Sequence, residues 1–367
     1  MAPRSVALVH DYLLVLRGAE RSFAAIAGCW PDADVYTLLY DEKGTQGAFS
    51  GREVHTSYLQ HLPVRQEGFR RLLPLFPRAV ERLPVERHGL VVSSTSAFAH
   101  GVRTAPDAQH VAYCYTPFRY AWHERERALA EAPRLLRPLL ARSLTRIREW
   151  DRRAAQRVSH YIAISELARQ RIQESYGRDA TIVHPPVEVD RFAVGEPEDF
   201  FLVVTEIVPH KLVDNALEAA RLAESPITVV GGGPELDRLR REHGSHALFR
   251  GRVSDQELAD LYRRARALVV PNVEEFGIAA VEAQAAGRPV LAADAGGARE
   301  TVVPGQTGVL VRPESVDALA EAMRHTDWEA FDPARIRSHA EGFSTDAFKR
   351  RFSREVARLT GDGEAVG

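Results

Sequence analysis

The sequence predicts an α/β protein made of two doubly wound parallel-sheet domains. Three observations carry this expectation. At 367 residues the chain exceeds what one ordinary hydrophobic core organises. Strand and helix signals alternate along both halves. Between Leu268 and Gly297 an apolar run ends at Pro271, a short acidic loop follows, and an Ala-rich helix opens near Phe276–Gly277–Ile278. Backbone N–H groups at such a helix start face the carboxyl end of a strand, which is how open α/β sheets build ligand sites.

In the first half, Val6–His10 reads as a strand, Gly18–Ala27 as an amphipathic helix and Asp34–Leu39 as a second strand. The runs opening at Val91 and spanning His110–Tyr115 are apolar and end in polar residues, and His160–Ala163 gives a further strand. Pro185 and Pro186 lead out of this domain, and Val194 to Asp199, polar with Gly and Pro, reads as a linker. The first domain is therefore expected over 1–193 and the second over 194–345. The second series runs through Phe200–Val204, Ile227–Val230, Ala247–Phe249, Ala267–Val270, Val290–Ala293 and Val309–Val311, with helices between. A last helix, Asp346 to Leu359, carries Phe348, Phe352 and Val356 on one face. Two such domains joined by a hinge are expected to leave a ligand cleft between the carboxyl ends of their strands.

Composition is that of a soluble globular enzyme, 45% apolar and 27% charged, and a net charge of −2 makes no general case for a nucleic-acid partner. No apolar run approaches the roughly 20 residues needed to span a bilayer. The apolar start is cut by His10 and Asp11, so it reads as a strand and not as a signal peptide. Cys29 and Cys114 show no paired spacing for a metal and read as buried thiols. A cytoplasmic location is expected.

Glu282 is the unusual residue. It falls one turn into a helix among Ala279, Ala280, Val281, Ala283 and Ala286, where a carboxylate is costly without hydrogen-bond partners. Glu274 lies on the loop that enters this helix, so both acids can face one crevice. Glu274-x7-Glu282 with Phe-Gly-Ile inside, followed by Glu-Ala-x-Ala-x-Gly-x-Pro-Val, resembles the donor-site signature of retaining glycosyltransferases of family 4. Further strings similar to that family are Val9-His-Asp-Tyr, Arg17-Gly-Ala-Glu-Arg21, Tyr113 to Trp122, His184 to Phe192, Gly231-Gly-Gly-Pro-Glu235 and Gly251 to Glu257. Together they resemble the bacterial subgroup that assembles surface polysaccharides, including O-antigen mannosyltransferases.

The resemblance implies a GT-B fold, with two Rossmann-like domains facing across a cleft and the last helix crossing back to the first domain. It implies transfer of a hexosyl group, with retention, from a nucleotide-diphosphate sugar to an alcohol such as a lipid-linked saccharide or a natural-product scaffold. Glu282 would hold the ribose and Glu274 would approach the transferred sugar. Backbone N–H groups of Phe276, Gly277 and Ile278 would meet the sugar hydroxyls or the distal phosphate, and Val253 would lie beside the base. Gly232 and Gly18 would let backbone approach the ligand, Arg17 would add a cation, and Lys211 would clasp the diphosphate. The nucleotide sugar is then a substrate, and no metal or other cofactor is implied. For Gly231–Gly233 an ordinary strand-to-helix turn is an equally good reading, and Arg17 reads as well as an exposed surface residue.

Two positions depart from the family pattern. Glu206 stands where the family has an arginine five residues before Lys211, and Tyr115 stands where the subgroup has a histidine near the reacting centre. Glu206 turned away from an ordinary donor, an atypical phosphate donor, and a catalytically silent binding or partner protein all stay open. From Arg119 to Arg157 there are eleven arginines against five acids, with Leu135, Leu136, Leu139, Leu140, Leu144 and Ile147 as an apolar stripe. That stripe reads either as core or as a surface for anionic membrane or lipid-linked acceptors at the inner face of the membrane. Arg70–Val80 is a second basic–apolar segment.

Overall fold

The computed structural model describes residues 5–62 and 72–361. The first sheet contains β1 (Val6–His10), β2 (Asp34–Thr37), β3 (Val54–Thr56), β4 (Leu90–Thr95), β5 (Gln109–Cys114), β6 (His160–Ala163) and β7 (Ala180–Ile182). Its order is β3-β2-β1-β4-β5-β6-β7, all parallel. The second sheet contains β8 (Phe201–Val204), β9 (Ile227–Val230), β10 (Ala247–Gly251), β11 (Ala267–Val270), β12 (Val290–Ala293) and β13 (Gly308–Val311). Its order is β10-β9-β8-β11-β12-β13, again parallel.

In both sheets the chain winds outward one way and then the other, so the order reverses once, at β1/β4 and at β8/β11. A doubly wound sheet binds ligands at the carboxyl ends of the strands flanking that reversal. The central strands are apolar throughout because helices cover both faces; β4 and β12 are buried at every residue. β3 and β7 are additions to the strands expected from the sequence, and β2 stops at Thr37 instead of continuing to Leu39.

The chain forms two compact units. One runs to His184 and takes in the last helix from Phe348, and the other spans Pro185–Ala347. The boundary lies ahead of the polar linker because residues 187–192 are already fastened to the second unit. Val187 N–H donates to Phe343 O at 2.9 Å. The Arg337 guanidinium donates to the carbonyls of Val189, Phe192 and Ala285 at 3.0, 2.6 and 2.7 Å. The Phe192 ring meets Tyr262 edge-on at 5.5 Å. The polar stretch itself is tied down, with Glu198 taking both an Nε and an Nη donor of Arg264 at 2.6 and 2.7 Å. The last helix, Thr345–Thr360, buries Phe348, Phe352 and Val356 at i, i+4 and i+8. Phe348 and Phe352 meet Tyr113 of β5 at 5.7 and 5.4 Å, and Phe352 also meets Trp30 at 6.1 Å.

Candidate active site

In the second unit the reversal point is occupied by the residues that follow β8 and β11. The chain leaves β8 through Thr205 and Glu206 and makes a short 3-10 turn, Pro209–Lys211, before the helix Val213–Leu222. Leaving β11, it reaches Asn272 and Glu274. Lys211 Nζ sits 2.6 and 2.8 Å from the two carboxylate oxygens of Glu274. The Asn272 amide donates to the same carboxylate at 3.0 Å. The loop is held from behind: Gly297 N–H donates to Glu274 O at 2.9 Å. A Cβ at Gly297 would fall 2.3 Å from Phe276 Cα, so only glycine permits that approach. Phe276 is buried against Phe343, centroids 5.7 Å apart. Gly277, at φ +90°, then turns the backbone into the helix Ile278–Ala285.

Glu282 has the partner its position demands. Its Oε2 accepts the hydroxyl of Tyr262 at 2.9 Å. Tyr262 is fully buried, and burial, with the neighbouring Glu282 anion second, pushes its phenol well above the ordinary range. The phenol therefore stays a donor at any physiological pH. Tyr262 lies on the helix Asp255–Arg264, twenty residues from the acid it orients.

Around the β8 exit, Gly231 and Gly233 serve close backbone approach. A Cβ would meet Thr205 O at 1.8 Å from Gly231 (φ +140°) and Ile207 O at 2.2 Å from Gly233. The Ile207 N–H donates to Gly232 O at 3.0 Å. Gly232 faces the Arg252 guanidinium, whose Nε lies 3.2 Å from where a Cβ would be. Arg252 is exposed and has no partner among the described residues, as does Glu206. Val253 is half-buried beside it. Sequence reasoning names Val253 here and misses Arg252, whose cation only the fold brings beside Gly232.

In the first unit the reversal point joins β1 to β4, with His10 opposite Ser94. Asp11, fully buried, accepts from the backbone N–H groups of Ser96, Phe98 and Ala99, each at 2.7 Å, and from the hydroxyls of Thr95 and Ser96. Gly18 opens the next helix behind an exposed Arg17, whose N–H donates to the Glu20 carboxylate at 3.0 Å. The Tyr115 hydroxyl is committed within this turn. It donates to Ala19 O at 2.9 Å and shares a second contact with Ser94 Oγ at 2.9 Å. Burial raises its pKa. The structure thus brings Glu274 to Lys211, gives Glu282 to Tyr262, and attaches Tyr115 to the Gly18–Ala19 turn.

Two family profiles match adjoining stretches. Residues 16–191 match Glycosyltransferase Family 4, and residues 187–326 match Glycosyl transferases group 1. The chain belongs to this glycosyltransferase family. Its fold is GT-B. It is similar to D-inositol 3-phosphate glycosyltransferase of Streptomyces avermitilis, 36% identical over 205 residues, covering 45% of this chain and 44% of that one. It is also similar to the GDP-mannose-dependent α-(1-6)-phosphatidylinositol monomannoside mannosyltransferase of Mycolicibacterium smegmatis, 30% identical over 44% of this chain and 50% of that one. These matches span about half the length of the curated relatives. Among solved structures, Anabaena HepE in complex with UDP and glucose superposes with a TM-score of 0.70 at 18% identity, over 96% of this chain and all of that one.

Other polar clusters of this family 4 chain carry their own cations. Asp34, Glu53 and His55, and likewise Asp214, Glu242 and His243, have ligand atoms within 4.8 Å of one another. Arg87 already sits 2.6 Å from Asp34, and Arg238 bridges Asp214 and Glu242. The leucine stripe divides in two. Leu144 and Ile147 are core residues of the helix Arg137–Ala155, whereas Leu135 and Leu139 are 95% and 69% exposed, with Leu136 also exposed. Arg134, Arg142 and Arg146 are exposed around them. Arg70–Val80 begins outside the described residues; from residue 72 onward its Leu72, Phe76, Ala79 and Val80 are core. Among the described residues, no helix is long and apolar enough to cross a membrane.

Proposed function

We propose that the chain transfers a hexosyl group from a nucleoside-diphosphate sugar to an alcohol acceptor, with retention at the anomeric carbon. The observation that carries this reading is the Lys211–Glu274 contact at the β8/β11 reversal point, beside the helix entered through Gly277. A cation, a carboxylate and a helix start together suit a ligand with a diphosphate at one end and sugar hydroxyls at the other. In this reading Lys211 meets the diphosphate and Glu274 the transferred sugar. Glu282, oriented by Tyr262, holds the ribose. Backbone N–H groups of Phe276, Gly277 and Ile278 complete the donor site.

As the bond from the anomeric carbon to the leaving phosphate oxygen breaks, the acceptor oxygen bonds to that carbon on the same face, and the acceptor proton passes to the departing diphosphate. The protein contributes position and fixed charge, not a nucleophile. Lys211 and Arg252 supply positive charge on the second unit and no metal enters the proposal. UDP-glucose and GDP-mannose are the donors to test first, because the Mycolicibacterium smegmatis relative is named with GDP-mannose and HepE with UDP-glucose. Release of nucleoside diphosphate, with the anomer of the product read by NMR, tests the reaction; an inverted product or no release from either donor overturns it.

A second reading rests on Glu206. Its free, exposed carboxylate after β8 suits a donor with fewer phosphates or with an amino group. On the acceptor side, the exposed leucines with their surrounding arginines support contact with anionic membrane carrying a lipid-linked acceptor.

A further inference from the structure

His10 is the last residue of β1 and pairs with Ser94 of β4, at the reversal point of the first sheet. Its ring is held by stacking and by hydrogen bonding. The ring stacks on Phe23 with centroids 4.8 Å apart and planes 19° from parallel, and Phe23 is itself fully buried against Phe49. On its Nδ1 side His10 meets Ser94 Oγ at 3.1 Å.

The direction of that contact follows from the far end of the chain of hydrogen bonds. A backbone carbonyl only accepts, so the Tyr115 hydroxyl spends its single hydrogen on Ala19 O. The 2.9 Å contact between Tyr115 and Ser94 must then be Ser94 donating to the phenol oxygen. With its own hydrogen spent, Ser94 Oγ can only accept from His10, so Nδ1 carries the ring proton. Burial lowers the His10 pKa, outweighing the opposing pull of Glu20, Asp11 and the Ser94 backbone, and the ring is neutral. Nε2 is therefore bare and can only accept. It has no hydrogen-bond partner among the described residues, and His10 as a whole is 3% exposed. Asp11, the adjacent acceptor, is already saturated by five donors.

We infer that His10 Nε2 is a carbohydrate-binding atom that accepts a hydrogen bond from a sugar or acceptor hydroxyl. This rests on the transferase reading. Tyr115 and Ser94 are then positioning residues, because they act by fixing which nitrogen of His10 is bare. An imidazole left to rotate or to exchange tautomers would present an N–H to a hydroxyl for part of the time; the relay from Ala19 O prevents that.

The test has two arms. Nitrogen-15 NMR of the full chain with labelled histidine reads the tautomer directly, whether or not the protein transfers sugar. A protonated Nδ1 and bare Nε2 are expected, and a protonated Nε2 overturns the inference. The second arm uses His10→Asn, whose amide N–H stands in for Nδ1–H and which lacks anything at Nε2. Affinity for UDP and GDP should stay within twofold. If the hydroxyl belongs to the transferred sugar, affinity for the sugar nucleotide falls at least tenfold. If it belongs to the acceptor, that affinity is kept and release of nucleoside diphosphate, with water as acceptor, falls at least tenfold. His10→Gln, which restores an amide acceptor near Nε2, should recover part of the loss. Affinity and release both within twofold of wild type in His10→Asn overturn the inference. Should His10→Asn fail to fold, Ser94→Ala replaces it: a mixed tautomer population with reduced turnover supports the relay, and an unchanged tautomer with unchanged turnover overturns it. A wild-type protein that binds neither UDP-glucose nor GDP-mannose sinks the transferase reading and the carbohydrate assignment with it, while the tautomer result still stands by itself.

Discussion

Lys211 and Glu274 neutralise one another, the ammonium lying within 2.8 Å of both carboxylate oxygens and each side chain about one-fifth exposed. The cation proposed for the diphosphate is therefore already engaged before a ligand arrives. Binding a phosphate means sharing Lys211 between two anions, and the carboxylate released in that exchange is the one proposed to meet the sugar.

Glu274→Gln should consequently separate affinity from rate. With Lys211 freed, UDP or GDP should bind about fivefold tighter, equivalent to roughly 1 kcal/mol, while nucleoside diphosphate release should drop at least tenfold. Glu282→Ala should instead weaken donor binding. Calorimetry and release assays on both variants check the division, and unchanged affinity and rate in both would remove the assignment.

The charge at the β8 exit offers a second prediction. At an effective dielectric near 20, a unit charge about 4 Å away is worth roughly 4 kcal/mol as an upper scale. With an ordinary sugar nucleotide, Glu206→Arg should preserve or tighten binding, and Arg252→Ala should loosen it about tenfold. A donor that uses Glu206 for recognition would instead lose activity in Glu206→Arg. Titrations showing no change in Glu206→Arg and Glu206→Gln would move Glu206 away from the phosphates.

Vesicle binding should depend on the exposed leucines. The protein should sediment with phosphatidylglycerol-containing vesicles at low salt and release as salt rises, since exposed charges are screened over about 8 Å at physiological ionic strength. Leu135→Asp and Leu139→Asp should each reduce binding, because burying a leucine is worth about 2 kcal/mol. A wild-type protein that stays in the supernatant at low salt points to a soluble acceptor.

Acid should destabilise the first unit through His110. Burial holds its pKa at about 3, well below the ordinary 6.5 of a histidine, with Nε2 on Ser93 Oγ at 2.8 Å. Between those values the unfolded chain takes up a proton that the folded one refuses, so stability falls as pH drops below about 6.5 and is unaffected above it. The contribution is roughly 2 kcal/mol between pH 6.5 and 5. His10 and His88 are shifted in the same direction. Urea unfolding at pH 7 and pH 5 measures the slope, and His110→Gln should flatten it.

Strands with a continuous apolar run were legible in the sequence: Val6–His10, His160–Ala163, Ile227–Val230, Ala267–Val270 and Val290–Ala293 all form as read. Val54–Thr56 and Ala180–Ile182 were not, because three residues carry no measurable period. The acid at 282 announced that it needed a partner, but nothing in its neighbourhood named Tyr262, which arrives from another helix. Spacing likewise gave Leu135 and Leu136 to a helical stripe. The helix starts only at Arg137, so the two precede the geometry that would have turned them inward. The bare nitrogen of His10 depends on a relay across three strands and a turn, and no local pattern encodes that.

The last helix has a consequence for biosynthesis. Trp30 and Tyr113 are made before the whole of the second unit, and the rings that cover them, Phe348 and Phe352, leave the ribosome only after it. The second unit, lying wholly between them in the chain, can close as soon as Ala347 emerges. The first unit, although begun first, is finished last, and a chain that terminates before Phe348 would carry an intact second unit on an amino-terminal half with an uncovered aromatic face.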